Sequence, residues 1–289
     1  MSISSELGES RSVELKQGTI HFRERGEGEP ILFVAGVFVT GDFWRNVAPS
    51  LAGKYRCICP DWPLGAHEEP MRPEADLTFP GIVRLIADFL DALGIERVTL
   101  VGNDTGTAYC TELAVSHPDR VERLVLTSGD ALEIFPPRVV QWLKAVAYVP
   151  GLTHLTLPLV RFRPLRRLPS AYGWVAKRPF PREISDRYVR PAVTNKLVRQ
   201  DFIKIVRDAS PRYTQSAAAR AADYPGPVLI AWSREDRVLP YRLGEELARR
   251  FPDATLEPIE DSYTFSPEDN PERLTELIAE FMRRRVRRG

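Results

Sequence analysis

Residues 97 to 108, RVTLVGNDTGTA, run a continuous apolar stretch into a turn and out into a helix, with Gly102 and Gly106 bracketing one carboxylate, Asp104. Glycines on both sides of such a junction let strand and helix backbones meet where side chains would collide. A turn this sharp holds its central residue in a strained conformation with the side chain pointing into a pocket. The helix N-terminus behind Asp104 predicts that it stays ionised. Aspartate is also common at turns and helix caps, so the spacing gains meaning only from its surroundings.

Those surroundings alternate strand and helix. Thr19 to Gly26 reads as a half-buried strand, and ILFVAGV after Pro30 as one buried on both faces. Gly36 and Gly41 open a loop before the amphipathic stretch FWRNVAPSL, and YRCICPD is a second buried strand ending at Asp61. From Thr78 a helix is predicted, with Ile82, Val83, Leu85, Ile86, Phe89, Leu90 and Leu93 on one stripe and Gly94 as its stop. The elbow helix runs through Ser116 to the breaker His117-Pro118, and RLVLTS is the next strand. Such alternation implies right-handed crossovers and a parallel sheet. It stops at about Ala131. To about Tyr224 the chain is rich in Pro and Arg, with helical stretches such as VVQWLKAVAYV and ISDRYVRPAVTNKLVRQDFIKIVRDA. It resumes with PVLIAWS, the helix YRLGEELARRF, the strand ATLEPIE and a closing helix from Pro271. The predicted fold class is α/β, a mostly parallel sheet flanked by helices. Residues 1–130 and 225–289 form its core, and 131–224 an inserted helical cap over the carboxyl ends of the strands.

Forty Lys and Arg against 39 Asp and Glu leave a formal charge of +1, so no global field recruits nucleic acid or an acidic membrane. A small neutral ligand is expected, bound by a monomer or homodimer without metal or other cofactor. Cys57, Cys59 and Cys110 lack the paired spacing of a zinc site and the even count of a disulfide framework, and read as buried hydrophobes. The N-terminal residues lack the basic start and apolar stretch of a signal peptide, and no segment reaches the roughly 18 apolar residues of a membrane span, so a cytoplasmic location is expected.

ILFVAGV with FWRNVAPSL, CICPD, VGNDTG, SHPDRVERLVLTS, AWSREDRVLP and FSPEDNPERL together cover nearly the whole chain. In these segments the sequence resembles the α/β-hydrolases of the haloalkane dehalogenase and epoxide hydrolase branch. The resemblance implies an α/β-hydrolase fold in which Asp104, in the serine place of a G-x-S-x-G elbow, attacks carbon. An acid after a later strand then orients a histidine that activates water. The acid falls on Asp236, whose WSxxD-to-Pro context matches, ahead of Asp130 just past RLVLTS. Backbone N–H groups of Val37 or Phe38 and of Thr105 would form the oxyanion hole, although Ala35-Gly36 stands where His-Gly is usual.

The histidine is where the pattern fails. Its place in DSYTFSPEDNPE is Thr264, and a hydroxyl is no base near neutral pH. Of the four histidines, His21 lies on an early edge strand, His117 precedes Pro, His154 belongs to the cap, and His67, after CICPD, is the one candidate to reach the pocket. Thr105 and Val37 also hold the positions of the halide-binding Trp and Asn of dehalogenases, which argues against that reaction. Tyr148, Tyr172, Tyr188 and Tyr213 are available in the cap to activate an epoxide, though packing is the plainer role for them. Trp142 and Trp174 are further pocket candidates. RFRPLRR and the tail RRRVRRG read as solvated faces, the first also as a place for an anionic ligand group.

Three functions follow. One is an enzyme using Asp104 as general base or acid in an elimination, cyclisation or rearrangement, since without a base an ester intermediate would be trapped after one turnover. The second is a hydrolase of an epoxide or activated ester, and the third a non-catalytic ligand-binding protein.

Overall fold

The computed structural model describes residues 5–284, so most of the arginine-rich tail lies outside the described residues. Eight strands form one sheet in the order β1-β2-β4-β3-β5-β6-β7-β8. They are β1 Glu9–Leu15, β2 Gly18–Arg25, β3 Glu29–Val34, β4 Tyr55–Pro60, β5 Val98–Asp104, β6 Val121–Gly129, β7 Val228–Ser233 and β8 Ala254–Ile259. The β1–β2 and β2–β4 pairings are antiparallel, and every other pairing is parallel. The run ILFV explains how the sheet is covered: its successive side chains point to opposite faces. Ile31 and Phe33 pack with α1 (Ala48–Leu51) and α11 (Pro271–Met282). Leu32 and Val34 pack with α2 (Phe79–Ala92) and α3 (Thr105–Ser116).

Local chemistry sets the helix ends. The Thr78 hydroxyl caps α2 by accepting from the Gly81 N–H, the predicted stripe is buried from Ile82 to Leu90 with Leu93 half-buried, and Gly94 takes a left-handed φ of 64° just past the last turn. Between β6 and β7 the chain forms helical elements and loops, apart from one isolated bridge that pairs Ala131 with Ile134. These include α4 (Gln141–Tyr148), α5 (Leu152–Thr156), α6 (Arg182–Thr194), α7 (Lys196–Asp208) and α8 (Pro211–Ala219). Helix α9 (Arg242–Arg250) and the short α10 (Ser266–Asp269) flank β8.

Three readings of the sequence change. Strand β1, whose residues ESRSVEL are mostly exposed, is the edge strand. His21 on β2 therefore has paired neighbours on both sides, and its ring meets Glu69 at 3.0 Å. The stretch from Ile184 to Ala209 is two helices broken at Asn195, whose extended backbone and side-chain acceptor for the Leu197 N–H start α7 afresh. FWRNVAPSL yields only a 3-10 turn and the single turn α1.

Candidate active site

From β3 the chain runs to β4 on one side and later returns to β5 on the other, so the carboxyl ends of β3 and β5 border a crevice at the point where the strand order reverses. Asp104 ends β5 at this point, with φ 54° and ψ −129°. That conformation costs an L-residue about 1–3 kcal/mol. The turn is locked from both sides. The Asp104 carbonyl accepts from the Asp130 N–H at 3.1 Å, and a Cβ on Gly106 would lie 1.9 Å from the Val34 carbonyl oxygen. Only glycine allows that approach of α3 to β3.

The Asp104 carboxylate accepts the backbone N–H groups of Thr105 and Val37. Its Oδ2 lies over Gly36, where a Cβ would stand only 1.9 Å away. Phe38 is not a donor here, because its N–H is bonded to the Leu64 carbonyl at 3.0 Å. Its positive φ of 56° accompanies a ring packed on Phe202, 4.4 Å between centroids. Burial works against the ionised state expected of Asp104. Burial pushes its pKa up to about 7 against the two backbone bonds, and the negative charge of Asp236 adds to the rise.

Asp130 is the second carboxyl facing the same space. Its Oδ2 accepts the Thr105 hydroxyl at 2.9 Å, while its Oδ1 is buried without a partner. Burial, then the neighbouring charge of Asp104, raises its pKa well above the ordinary range. Asp236, in the loop after β7, is held through one oxygen, its Oδ2 being buried without a hydrogen-bond partner. One of its oxygens, Oδ1, accepts the Val238 and Leu239 N–H groups, each at 2.8 Å, and the Thr264 hydroxyl at 3.0 Å. Burial, opposed by those bonds, pushes it up to about 6. Thr264 has no solvent exposure. It completes a closed contact behind the elbow, and neither it nor Asp236 lines the cavity.

That cavity, about 420 Å³, is lined by Asp104, Thr105 and Asp130 together with mainly apolar side chains such as Val37, Leu143 and Phe202. Trp142 and Tyr172 also line it, whereas Trp174 and Tyr148 do not. The Tyr172 hydroxyl donates to the Phe38 carbonyl at 2.8 Å, and the exposed Tyr148 hydroxyl donates to the Arg207 carbonyl. Tyr213 stacks on Phe79, and Tyr188 is buried away from the cavity. His67 is displaced from the candidate role: Nε2 meets the Asp201 carboxylate at 3.2 Å, Asp201 also takes the Met71 N–H, and neither lines the cavity. No histidine is among the lining residues. Arg166 is buried at the cavity rather than solvated. Its guanidinium donates to the Val160 and Arg161 carbonyls, the Ser185 hydroxyl and the Asp186 carboxylate. Among the described residues no acidic, His or Cys cluster could hold a metal ion. The three cysteines are buried and unpaired, with Cys57 pushed up to about 12 by burial.

Sequence reasoning did not single out Asn103. Its buried side-chain amide donates to the Thr127 hydroxyl, the Ser128 carbonyl and the Thr264 carbonyl, tying the elbow to β6 and to the loop before α10. A polar residue inside a buried strand was the available signal.

With this geometry in view, the profile of the α/β-hydrolase fold family matches residues 29–271, and the chain belongs to that family. An uncharacterized protein of Mycobacterium tuberculosis is 28% identical, over 90% of this chain and 77% of its own length. A 2-hydroxy-6-oxononadienedioate/2-hydroxy-6-oxononatrienedioate hydrolase of Burkholderia vietnamiensis is 27% identical over 98% of each chain. Among solved structures, haloalkane dehalogenase DbeA of Bradyrhizobium elkani superposes with a TM-score of 0.79 at 21% identity, covering 95% of this chain and 96% of its own. At that identity the likeness concerns the fold.

Proposed function

We propose that this α/β-hydrolase-fold protein is an enzyme that moves protons on a small, largely apolar metabolite, with Asp104 and Asp130 as its working pair and the helical insertion as its cap. As a carboxylate, Asp104 removes a proton from carbon. Asp130, kept protonated by burial and by the charge beside it, delivers one to the oxygen or leaving group. The outcome is an elimination, cyclisation or rearrangement rather than hydrolysis. One observation carries this reading: a hydroxyl, that of Thr264, meets Asp236 at 3.0 Å where an imidazole is expected. Water activation through a histidine relay has no base there. Two titrating carboxyls in one apolar space suit acid and base roles, because neighbouring negative charges resist simultaneous ionisation.

A second reading, hydrolysis of an epoxide or activated ester through attack by Asp104, is favoured by the anchoring of that carboxylate on two N–H groups. Intact mass after incubation with a panel of small epoxides and alkyl halides separates the two. The proton-transfer reading expects no adduct on Asp104. An accumulating ester on that residue, or product carrying solvent oxygen over many turnovers, would sink it in favour of attack on carbon.

A further inference from the structure

Nine large hydrophobic side chains are exposed among the described residues, and all nine lie between Trp142 and Leu197, in the helical insertion. Leu155 is 72% exposed, Phe162 49% and Trp142 45%. Trp142, Leu159 and Leu168 are at once exposed and part of the cavity lining, so they mark its mouth. An apolar rim of this kind, continuous with an apolar cavity, is not the usual surface of a soluble monomer. Charge is segregated on the same stretch. Residues 134 to 182 contain nine Arg and Lys and no Asp or Glu, in a chain whose formal charge is +1. Asp186 takes up Arg163 and Arg166, whereas the exposed Arg138, Arg161 and Arg167 have no acidic partner within ion-pair distance among the described residues.

We propose that this face docks on an anionic lipid surface, with Leu155, Phe162 and Trp142 entering the headgroup boundary and the unpaired arginines meeting lipid phosphates. Exposed apolar side chains among cations are what interfacial segments use, since burial of apolar area and attraction to negative headgroups add. Among the described residues no single helix is long and apolar enough to span a membrane. The apolar pair Arg138–Tyr148 and Leu152–Arg161 bends by 118° at its junction, which suits lying on a bilayer rather than crossing it. Docking puts the cavity mouth against the layer from which a lipid-soluble substrate arrives. The proposal is independent of the reaction at Asp104.

The test is flotation of the full chain with phosphatidylcholine vesicles and with vesicles holding about 30% phosphatidylglycerol. At about 0.1 M salt the anionic vesicles should carry at least about tenfold more protein, and the excess should fall at about 0.5 M salt. L155S/F162S, at exposed positions outside the cavity lining, should lose binding with an unchanged melting temperature. R161E/R167E should lose the preference for phosphatidylglycerol. In the unaltered protein, brominated phosphatidylglycerol should quench the fluorescence of the exposed Trp142 and Trp174 while the buried tryptophans persist, a readout that needs no variant. Equal or no binding to the two vesicle types overturns the proposal. So does a lack of quenching, or a concentration-dependent dimer that L155S/F162S abolishes without any vesicle binding, since a second copy would then be the occupant.

Discussion

A carboxylate at a helix N-terminus that accepts two backbone N–H groups ordinarily titrates low, yet Asp104 sits near 7 because desolvation outweighs those bonds. Asp104→Asn removes the base and should lower turnover by about 10³-fold. It also removes a buried charge, so the variant should gain on the order of a few kcal/mol at pH 8, read by urea unfolding. A loss of stability there would mean that the carboxylate is better solvated than its surroundings indicate. Wild-type turnover should rise with pH through an apparent pKa near 7, and Asp236→Asn should shift that limb downward by removing the negative charge that adds to the rise of Asp104. Gly36→Ala cannot keep the carboxylate in place, because the new methyl would stand 1.9 Å from Oδ2. Its effect should fall mainly on kcat, about 10²-fold or more, with little change in the far-ultraviolet circular dichroism.

At the scale of elements, the site is three loop ends held in register: the turn after β3, the elbow between β5 and α3, and the segment before α10. Asn103 ties the elbow to the segment before α10 through its bond to the Thr264 carbonyl, and to β6 through its bonds to Thr127 and Ser128. Asn103→Ala leaves their buried acceptors short and should cost about 2–4 kcal/mol by chemical denaturation, with activity falling as the elbow loosens. Thr264→His tests what the segment before α10 has lost. If the ring replaces the hydroxyl against Asp236, hydrolysis of activated esters should rise about 10–100-fold over the parent, and no gain with the fold intact would count against the placement of Thr264. The buried strands and capped helices were legible because apolar runs and cap residues act locally. Strand β1 and the break at Asn195 were not. The first is a polar edge held by pairing with β2, and the second divides one amphipathic pattern that continues in both helices.

Over the whole molecule, several buried carboxyls titrate high: Asp61 and Asp236 at about 6, Asp104 at about 7, and Asp130 well above its ordinary value. In each the folded state holds its proton more tightly than the unfolded chain. Stability is therefore lost as pH rises from about 4 toward 7. A melting-temperature profile should peak on the acid side of neutrality, and Asp104→Asn should flatten its descent. A profile that instead climbs from pH 5 to 7 would contradict the burial of these groups. The near-neutral total charge suggested no membrane partner, but a sum over the chain is blind to the segregation of its cations onto one insertion. The alternation of strands and helices, the sharp turn that presents Asp104 and the replacement of the expected histidine by Thr264 can all be read along the chain. Each is written in residues adjacent along the chain, where apolar period, glycine and side-chain type act directly. The packed fold was needed to bring Asp130 into the space of Asp104, Thr264 against Asp236 and His67 against Asp201, and to raise Asp104 to about 7. Burial and the meeting of distant side chains set these outcomes, and neither is a property of any short stretch of chain.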